Sequence, residues 1–191
     1  MKSIIALISL LVFSPPAAFA NPPDNVKSDS LKNATILVVR HGEDADKGHD
    51  LSPAGKARAN AYVDYFKNYK VNDKPLKLDA MFAAADNKGS HRPRLTIEPT
   101  AKSLGISINA QFEDAHYQKL ADELRHKPHG QQILICWHHG EIPKLLKALG
   151  ADTDLVIPKS GWPDDAYNWV IQLNYDAEGR LAHIQRVVEP F

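Results

Sequence analysis

Short apolar runs alternate with longer amphipathic stretches along most of this chain. Residues 35–39, 78–82 and 132–137 are short runs rich in apolar residues, which is typical of strands buried inside a sheet. A further short strand is predicted at residues 106–108, where two isoleucines flank a serine. The distances between these runs leave room for a helix after each strand.

Four helices are predicted between and after the strands. The first begins at Ser52-Pro53, because serine is a favoured N-cap and proline is tolerated in the first turn. Its apolar positions recur every four residues and are Ala57, Ala61, Tyr65 and Tyr69. The other three are predicted at residues 94–104, 117–125 and 142–149, with Gly105 and Gly150 ending the first and last of them.

The C-terminal part of the chain has a different pattern. Two strands, residues 169–175 and 181–188, flank the sequence Asp-Ala-Glu-Gly at residues 176–179, which is typical of a hairpin. Alternating strands and helices followed by a hairpin predict an α/β fold. We expect a three-layer sandwich with a mostly parallel sheet, helices on both faces and a C-terminal β-hairpin.

The N-terminal residues have the features of an export signal. Lys2 precedes an apolar run at residues 4–13, and a small-x-small cleavage motif ends at Ala20. The run is too short to span a bilayer as a permanent helix. The sequence therefore predicts a periplasmic or secreted protein without membrane attachment after cleavage. Its predicted parts are a signal peptide at residues 1–20, a flexible linker at 21–33 and one domain at 34–191.

Composition narrows the classes of partner. The 191 residues are 43% hydrophobic, enough for one sizeable core, and their formal net charge is +0. A protein without excess positive charge is not expected to bind nucleic acid or an anionic membrane surface. The single cysteine, Cys136, lies in an apolar run, so we expect a buried thiol and no internal disulfide.

Basic residues follow three of the predicted strands. Arg40 and His41 come directly after the first strand, and His139 follows the strand at residues 132–137. Arg92 and Arg94 lie in the loop after the second strand. For each motif alone, a solvated polar turn or a hydrogen-bonded histidine cluster is the competing interpretation. Together, at the carboxyl ends of strands in an open sheet, they predict a cationic pocket for an anion such as phosphate.

The order and spacing of these motifs resemble the histidine phosphatase superfamily, the phosphoglycerate mutase-like fold, over almost all of residues 34–191. The superfamily opens with Arg-His-Gly, continues with Leu-Thr/Ser-x-x-Gly and Ser…Arg-x-x-x-Thr, and ends with a histidine directly before glycine. The resemblance is to its secreted bacterial members. The matching residues here are Arg40-His41-Gly42-Glu43, Leu51 to Gly55, Ser90, Arg92, Thr96 and His139-Gly140.

The resemblance implies roles for these residues. His41 is expected to attack phosphorus and form a phosphohistidine, while Arg40, Arg92, His139 and Gly140 bind the phosphoryl group. His138 and Arg94 are then neighbours of the site. The implied activity is a metal-independent phosphomonoesterase of the acid phosphatase type, acting on a small phosphorylated substrate without a cofactor.

The general acid is less clearly marked. The register of the resemblance places Asp114 at the acid's position, with Glu113 beside it. Glu141 is the alternative, because some branches of the superfamily place the acid one or two residues after the second histidine.

A phosphatase is preferred to a mutase, because residues 109–130 offer little material for a lid that would retain an intermediate.

Two other classes of function remain open on the sequence. The first is an anion-binding protein on the same fold without a working acid. The second is a metal-dependent hydrolase, although Arg40 would repel a metal ion next to it. Its candidate ligands are His41, Asp44, His49, Asp50 and His139. In every case the loops at residues 44–50, 70–77 and 159–165 are expected to determine the substrate.

Overall fold

The computed structural model describes residues 29–191. Its strands and helices are β1 (Thr35–Arg40), α1 (Pro53–Lys67), β2 (Lys70–Val71), β3 (Lys74–Pro75), β4 (Ala80–Ala84), α2 (Arg92–Leu104), β5 (Ile108–Phe112), α3 (Tyr117–His126), β6 (Gln132–Trp137), α4 (Ile142–Ala148), β7 (Trp169–Tyr175) and β8 (Leu181–Val188). Short 3-10 helices lie at Asp29–Leu31, Asp114–His116 and Thr153–Leu155. Among these residues, no helix is long and apolar enough to cross a membrane.

Six of the strands form one sheet in the order β5-β4-β6-β1-β7-β8. Strands β5, β4, β6 and β1 run parallel to one another, and β7 is antiparallel to both of its neighbours. Strands β2 and β3 form a separate small hairpin. The predicted fold class, a mostly parallel α/β sheet with a C-terminal hairpin, is confirmed.

Strand β1 lies in the middle of this sheet and is buried on both faces. Ile36 and Val38 pack in the core layer that contains the buried side chains of α3 and α4. Leu37 and Val39 pack in the opposite layer, with α1 and α2. Because successive side chains of a strand point to opposite faces, a central strand needs an apolar residue at every position. Cys136 on β6 is a buried free thiol, as expected.

The chain is already packed before β1 begins. Leu31 is buried in the layer of α3 and α4, and the Asn33 amide donates to the Asp176 carbonyl at 2.9 Å. Both residues fall within the predicted linker, residues 21–33, so the folded domain begins before the expected boundary at Ala34. The predicted signal peptide lies outside the described residues.

The buried face of α1 differs from the predicted one. The helix begins after Ser52, as expected, and the Ser52 hydroxyl accepts from the Gly55 amide at 3.1 Å. Its buried residues, however, are Gly55, Ala59, Tyr62 and Phe66. A strict four-residue spacing drifts around a helix of 3.6 residues per turn. Ala57 is therefore exposed, and Ala61 and Tyr65 lie at the edge of the buried face and are only partly buried.

Strand β4 lies two residues later than the run predicted at residues 78–82. Its last two residues are alanines, which have little intrinsic preference for strands. Both alanines are nevertheless part of the strand, because Ala83 pairs with Cys136 of β6 and Ala84 pairs with Phe112 of β5. Tertiary pairing therefore sets this boundary, which local sequence did not indicate.

Strand β5 also begins later than predicted, at Ile108 instead of residue 106. Gly105 has a left-handed backbone with φ of 68°, and the Ile106 amide donates back to the Ala101 carbonyl at 3.0 Å. These contacts cap the C-terminus of α2. Ile106 therefore completes the helix cap, and the strand starts only after it.

The turn after β1 lies against the first turn of α1. A Cβ on Gly42 would be 3.0 Å from the Gly55 carbonyl oxygen, and a Cβ on Gly55 would be 2.5 Å from the Glu43 carbonyl oxygen. Only glycine at both positions permits this approach of two backbones. The two glycine motifs of the sequence thus form one contact, which fixes the start of α1 against the turn.

A buried ionic network holds the same turn from the other side. Both carboxylate oxygens of Glu43 accept from Arg58, and Arg58 Nη1 donates to Glu189 at 2.9 Å. The Tyr62 hydroxyl also donates to Glu189, at 2.7 Å. Burial raises the pKa of Glu189 to about 7. The network connects the C-terminal end of the chain to α1 and to the turn after β1.

Replacing Gly55 by alanine should destabilise the protein, although alanine is normally preferred to glycine in helices by about 1 kcal/mol. The added methyl group would meet Glu43 backbone atoms, and such overpacking costs about 1–3 kcal/mol. We therefore expect a lower free energy of unfolding in urea for Gly55→Ala. The control is Gly89→Ala in an exposed loop, where the nearest atom is the Asn87 side-chain oxygen at 3.3 Å. Equal stabilities of the two variants would contradict the close contact.

Candidate active site

The carboxyl ends of β1 and β6 bring two histidines together. The His41 amide donates to the Trp137 carbonyl at 3.1 Å, which continues the pairing of the two strands by one residue. His41 therefore lies beside the start of the His138-His139-Gly140 turn. The rings of His41 and His138 contact each other edge to face, with centroids 5.0 Å apart.

The surroundings of His41 determine which ring nitrogen is free. Nδ1 lies 2.8 Å from the Gly42 carbonyl oxygen, and a carbonyl can only accept, so Nδ1 carries the proton. Within residues 29–191, Nε2 makes no hydrogen bond and keeps its lone pair. Burial, together with the charges of nearby cations, lowers the pKa of His41 to about 3. His41 is thus a neutral imidazole with Nε2 available as a nucleophile.

Arg40 is buried and its orientation is fixed by a distant loop. Nη1 donates to the carbonyl oxygens of Pro163 at 3.3 Å, Asp164 at 2.7 Å and Ala166 at 3.4 Å. The guanidinium also lies 3.7 Å from the centre of the Tyr167 ring, a cation–π contact. Burial lowers the pKa of Arg40 from its usual value, but arginine stays charged in proteins. Residues 163–167 therefore form one wall of the site.

Arg92 approaches the site from the start of α2. It begins that helix two residues earlier than predicted, because Pro93 occupies the first turn and the Ser90 hydroxyl accepts from the Arg92 amide at 3.2 Å. Arg92 Nε lies 3.1 Å from Asp44 Oδ1, and the same oxygen lies 3.4 Å from His41 Nδ1. The Arg92 N–H is not aligned for a hydrogen bond, so this contact is an ion pair without directional support.

The neighbouring arginine, Arg94, is engaged elsewhere. It pairs with Asp86 at 2.8 Å and with Glu98 at 3.8 Å. Of the two arginines in this loop, only Arg92 therefore shares a carboxylate with His41. Arg92 is the arginine that the sequence motif assigned to phosphate, and Arg94 is its neighbour.

Thr96 connects the Arg-His-Gly turn to the Arg92 backbone. Its buried hydroxyl accepts from the Gly42 amide at 2.8 Å and donates to the Arg92 carbonyl at 2.7 Å. One side chain thus ties together the turn that carries His41 and the helix turn that carries Arg92. This contact gives a physical reason for the four-residue spacing between the arginine and the threonine.

The two histidines after β6 have different partners. His138 packs against His41, and its buried Nε2 has no hydrogen-bond partner among the described residues. His139 Nε2 lies 3.1 Å from Asp164 Oδ1, and its buried Nδ1 likewise has no partner in this part of the chain. Burial lowers the pKa of both rings, while Asp114 raises that of His138 and Asp164 raises that of His139. Gly140 follows in an exposed turn.

The candidates for the general acid lie in different surroundings. Asp114 is half-buried at the end of β5, its carbonyl accepts from Trp137 Nε1 at 3.1 Å, and its charge acts on His138. Glu113 is exposed, and Glu141 pairs with Lys144 at 2.9 Å on the surface of α4. Asp114 is therefore the acid candidate whose charge acts on a histidine of the site, His138.

Three contact residues of this site were not selected from the sequence as phosphate-site residues. Asp44 was weighed only as a metal ligand, Asp164 only as part of a substrate loop, and Tyr167 not at all. No local pattern marks them, because each acts through a contact with a residue of another segment. Of the proposed metal ligands, Asp50 instead lies 3.1 Å from His91. The structure assembles no group of three or more potential ligands within residues 29–191.

The fold is shared with solved structures of known type. Phosphoglycerate mutase from Plasmodium falciparum matches with a TM-score of 0.50 and 20% identity, over 83% of this chain and 91% of that chain. A protein from Agrobacterium tumefaciens, provisionally named phosphohistidine phosphatase SixA, matches with a TM-score of 0.51 and 18% identity, over 80% and 97%. A provisionally named alpha-ribazole-5'-P phosphatase from Escherichia coli matches with a TM-score of 0.51 and 12% identity, over 83% and 96%.

These likenesses establish the fold of this chain. It is the fold of the phosphoglycerate mutase-like histidine phosphatases. No protein-family model and no curated protein sequence matches the chain significantly. The activity must therefore be argued from the residues of the site.

The Thr96 contacts can be tested with valine, which keeps the shape of threonine without its hydroxyl. Thr96→Val leaves the Gly42 amide and the Arg92 carbonyl without this partner, which should cost about 1–3 kcal/mol of unfolding free energy. The matched control is Thr100→Val on the same helix, since the buried Thr100 hydroxyl has no partner among the described residues. We expect Thr100→Val to be neutral or stabilising in urea denaturation. A similar loss in both variants would refute the role of Thr96.

Proposed function

We propose that this protein is a phosphatase that hydrolyses phosphomonoesters through a phosphohistidine intermediate on His41. The observation that carries the proposal is the state of the His41 ring. Its Nδ1 proton is engaged by the Gly42 carbonyl, its Nε2 lone pair is free, and burial keeps the ring neutral. Arg40 and Arg92 lie next to this nucleophile, where they can neutralise a phosphoryl group.

The first half of the reaction transfers the phosphoryl group to the protein. His41 Nε2 attacks phosphorus in line with the leaving oxygen, so that a P–N bond forms as the P–O bond breaks. Asp114, protonated at this stage, gives its proton to the leaving oxygen, which departs as an alcohol. Arg40, Arg92 and His139 stabilise the negative charge on the three remaining phosphoryl oxygens.

The second half returns the protein to its starting state. The Asp114 carboxylate takes a proton from water, and the resulting hydroxide oxygen bonds to phosphorus as the P–N bond breaks. His41 regains its lone pair, and inorganic phosphate leaves. Removing one charged donor to the phosphoryl group from such a site typically costs about 10²–10³ in rate.

The proposal includes chemistry without a metal ion. Two arginines and a histidine cation supply the charge neutralisation that a metal would otherwise supply. The solved structures that share the fold carry the names of a phosphoglycerate mutase, a phosphohistidine phosphatase and an alpha-ribazole-5'-P phosphatase. We infer a phosphatase in preference to a mutase, because residues 109–130 are short for a lid that retains an intermediate.

The place of action that we propose is the periplasm or the outside of the cell. The export-signal pattern of the first 20 residues supports it.

The phosphohistidine is the most direct test of the proposal. Wild-type protein trapped during turnover of a labelled phosphomonoester, with chelator present, should carry label that survives alkali and is released by acid. His41→Ala should carry none and should lose hydrolysis, because no other group would supply the attacking nitrogen. His183→Ala, an exposed histidine on β8, serves as the control and should behave as wild type. Undiminished hydrolysis by His41→Ala would refute the proposal, and restoration of chelated enzyme by zinc would favour the metal-dependent class.

The role of Asp114 can be tested with leaving groups of different basicity. Asp114→Asn should slow hydrolysis of glycerol phosphate by about 10²–10⁴, because an alkoxide needs a proton to depart. Hydrolysis of p-nitrophenyl phosphate should fall much less, since nitrophenolate leaves without one. Glu141→Gln and Glu113→Gln are the comparison variants. The same leaving-group dependence in Glu141→Gln, and its absence in Asp114→Asn, would reassign the acid.

A further inference from the structure

The loop at residues 163–167 contacts two of the groups proposed to bind phosphate. The main-chain carbonyl of Asp164 accepts from Arg40 Nη1 at 2.7 Å. The side chain of the same residue lies 3.1 Å from His139 Nε2. One residue therefore touches the arginine of β1 through its backbone and the histidine after β6 through its carboxylate.

We propose that Asp164 is a positioning residue, which orients His139 and favours the cationic form of the ring that binds the transferred phosphoryl group. The inference rests on the function proposed above, because it assigns His139 that binding role. A carboxylate that accepts from one imidazole nitrogen sets the orientation of the ring and favours its charged form. With Nε2 engaged by Asp164, Nδ1 remains for the ligand. Nδ1 is buried and has no partner within residues 29–191.

The other charged groups around His139 do not provide the same support. Arg40 faces it from β1 and opposes its positive charge, and the charge of His139 in turn lowers the pKa of the neighbouring His138. Asp44, from the loop after β1, favours the charge but lies in an ion pair with Arg92. Burial lowers the pKa of His139, and Asp164 is the carboxylate in direct contact that raises it.

Asparagine at position 164 separates the charge of this residue from its structural contacts. The Asp164 side chain is 97% exposed, so the substitution disturbs no packing. The bond to Arg40 uses the main-chain carbonyl and is kept in Asp164→Asn. Asp165 provides a matched control one residue later, because its exposed carboxylate forms no ion pair in the described part of the chain.

The test measures His139 directly by NMR, which does not require catalysis. The ring C–H resonance of His139, assigned with His139→Gln, is titrated in wild type, Asp164→Asn and Asp165→Asn. Solvent screening limits an exposed ion pair, so the pKa of His139 should fall by roughly half a unit in Asp164→Asn. It should be unchanged in Asp165→Asn. An unchanged His139 titration in Asp164→Asn would overturn the proposal.

The second measurement is the pH profile of kcat/KM with p-nitrophenyl phosphate, corrected for ionisation of the substrate. The limb on which activity falls with rising pH should move to lower pH in Asp164→Asn by the same amount. At pH values well below that limb the variant should match wild type. A uniform loss at every pH would show that Asp164 only orders the loop, which overturns the proposal. If wild type itself hydrolyses nothing, the proposed function fails while the NMR titration still decides the role of Asp164.

Discussion

The buried guanidinium of Arg40 is the constraint around which the site is built. A charge removed from water is costly unless it is hydrogen-bonded or paired. Here the partners are three main-chain carbonyls and the face of Tyr167, all from one loop. Because those partners are neutral, Arg40 is held rigidly without losing its excess positive charge, which remains available to an anion. The same loop then brings Asp164 to His139, so the order of one segment supports two groups of the site.

The site contains two kinds of cation, which differ in how they are held. Arg40 is fixed by neutral groups, whereas Arg92 and His139 are paired with the carboxylates of Asp44 and Asp164. The Asp44 carboxylate is 45% exposed and can turn into solvent at little cost when an anion competes for Arg92. A phosphate group would thus bind the preorganised Arg40, replace Asp44 at Arg92, and meet His139 at Nδ1, which the contact with Asp164 leaves free. This arrangement also explains how a chain without net charge contains a pocket of excess positive charge.

Features that depend on local sequence could be predicted, and features that depend on distant contacts could not. The apolar run before Arg40 indicated a central strand, and the chain order of the motifs indicated which strand ends would meet. The face of α1 and the start of β5 were wrong because helix drift and the capping role of Ile106 override simple spacing. The contact between Arg40 and the loop that fixes it joins residues more than 120 positions apart. Neither hydrophobic periodicity nor secondary-structure propensity in residues 163–167 predicts that contact.

The proposed mechanism needs a neutral His41 and a cationic His139 in one pocket, and the two rings have different surroundings. His41 is almost fully buried, so that its pKa falls to about 3 and the ring stays neutral, although its hydrogen bond to the Gly42 carbonyl raises the pKa. His139 meets the Asp164 carboxylate, yet burial still keeps its pKa below the usual value of about 6.5. A bound phosphate dianion favours the cation, so by linkage binding should be accompanied by proton uptake at His139.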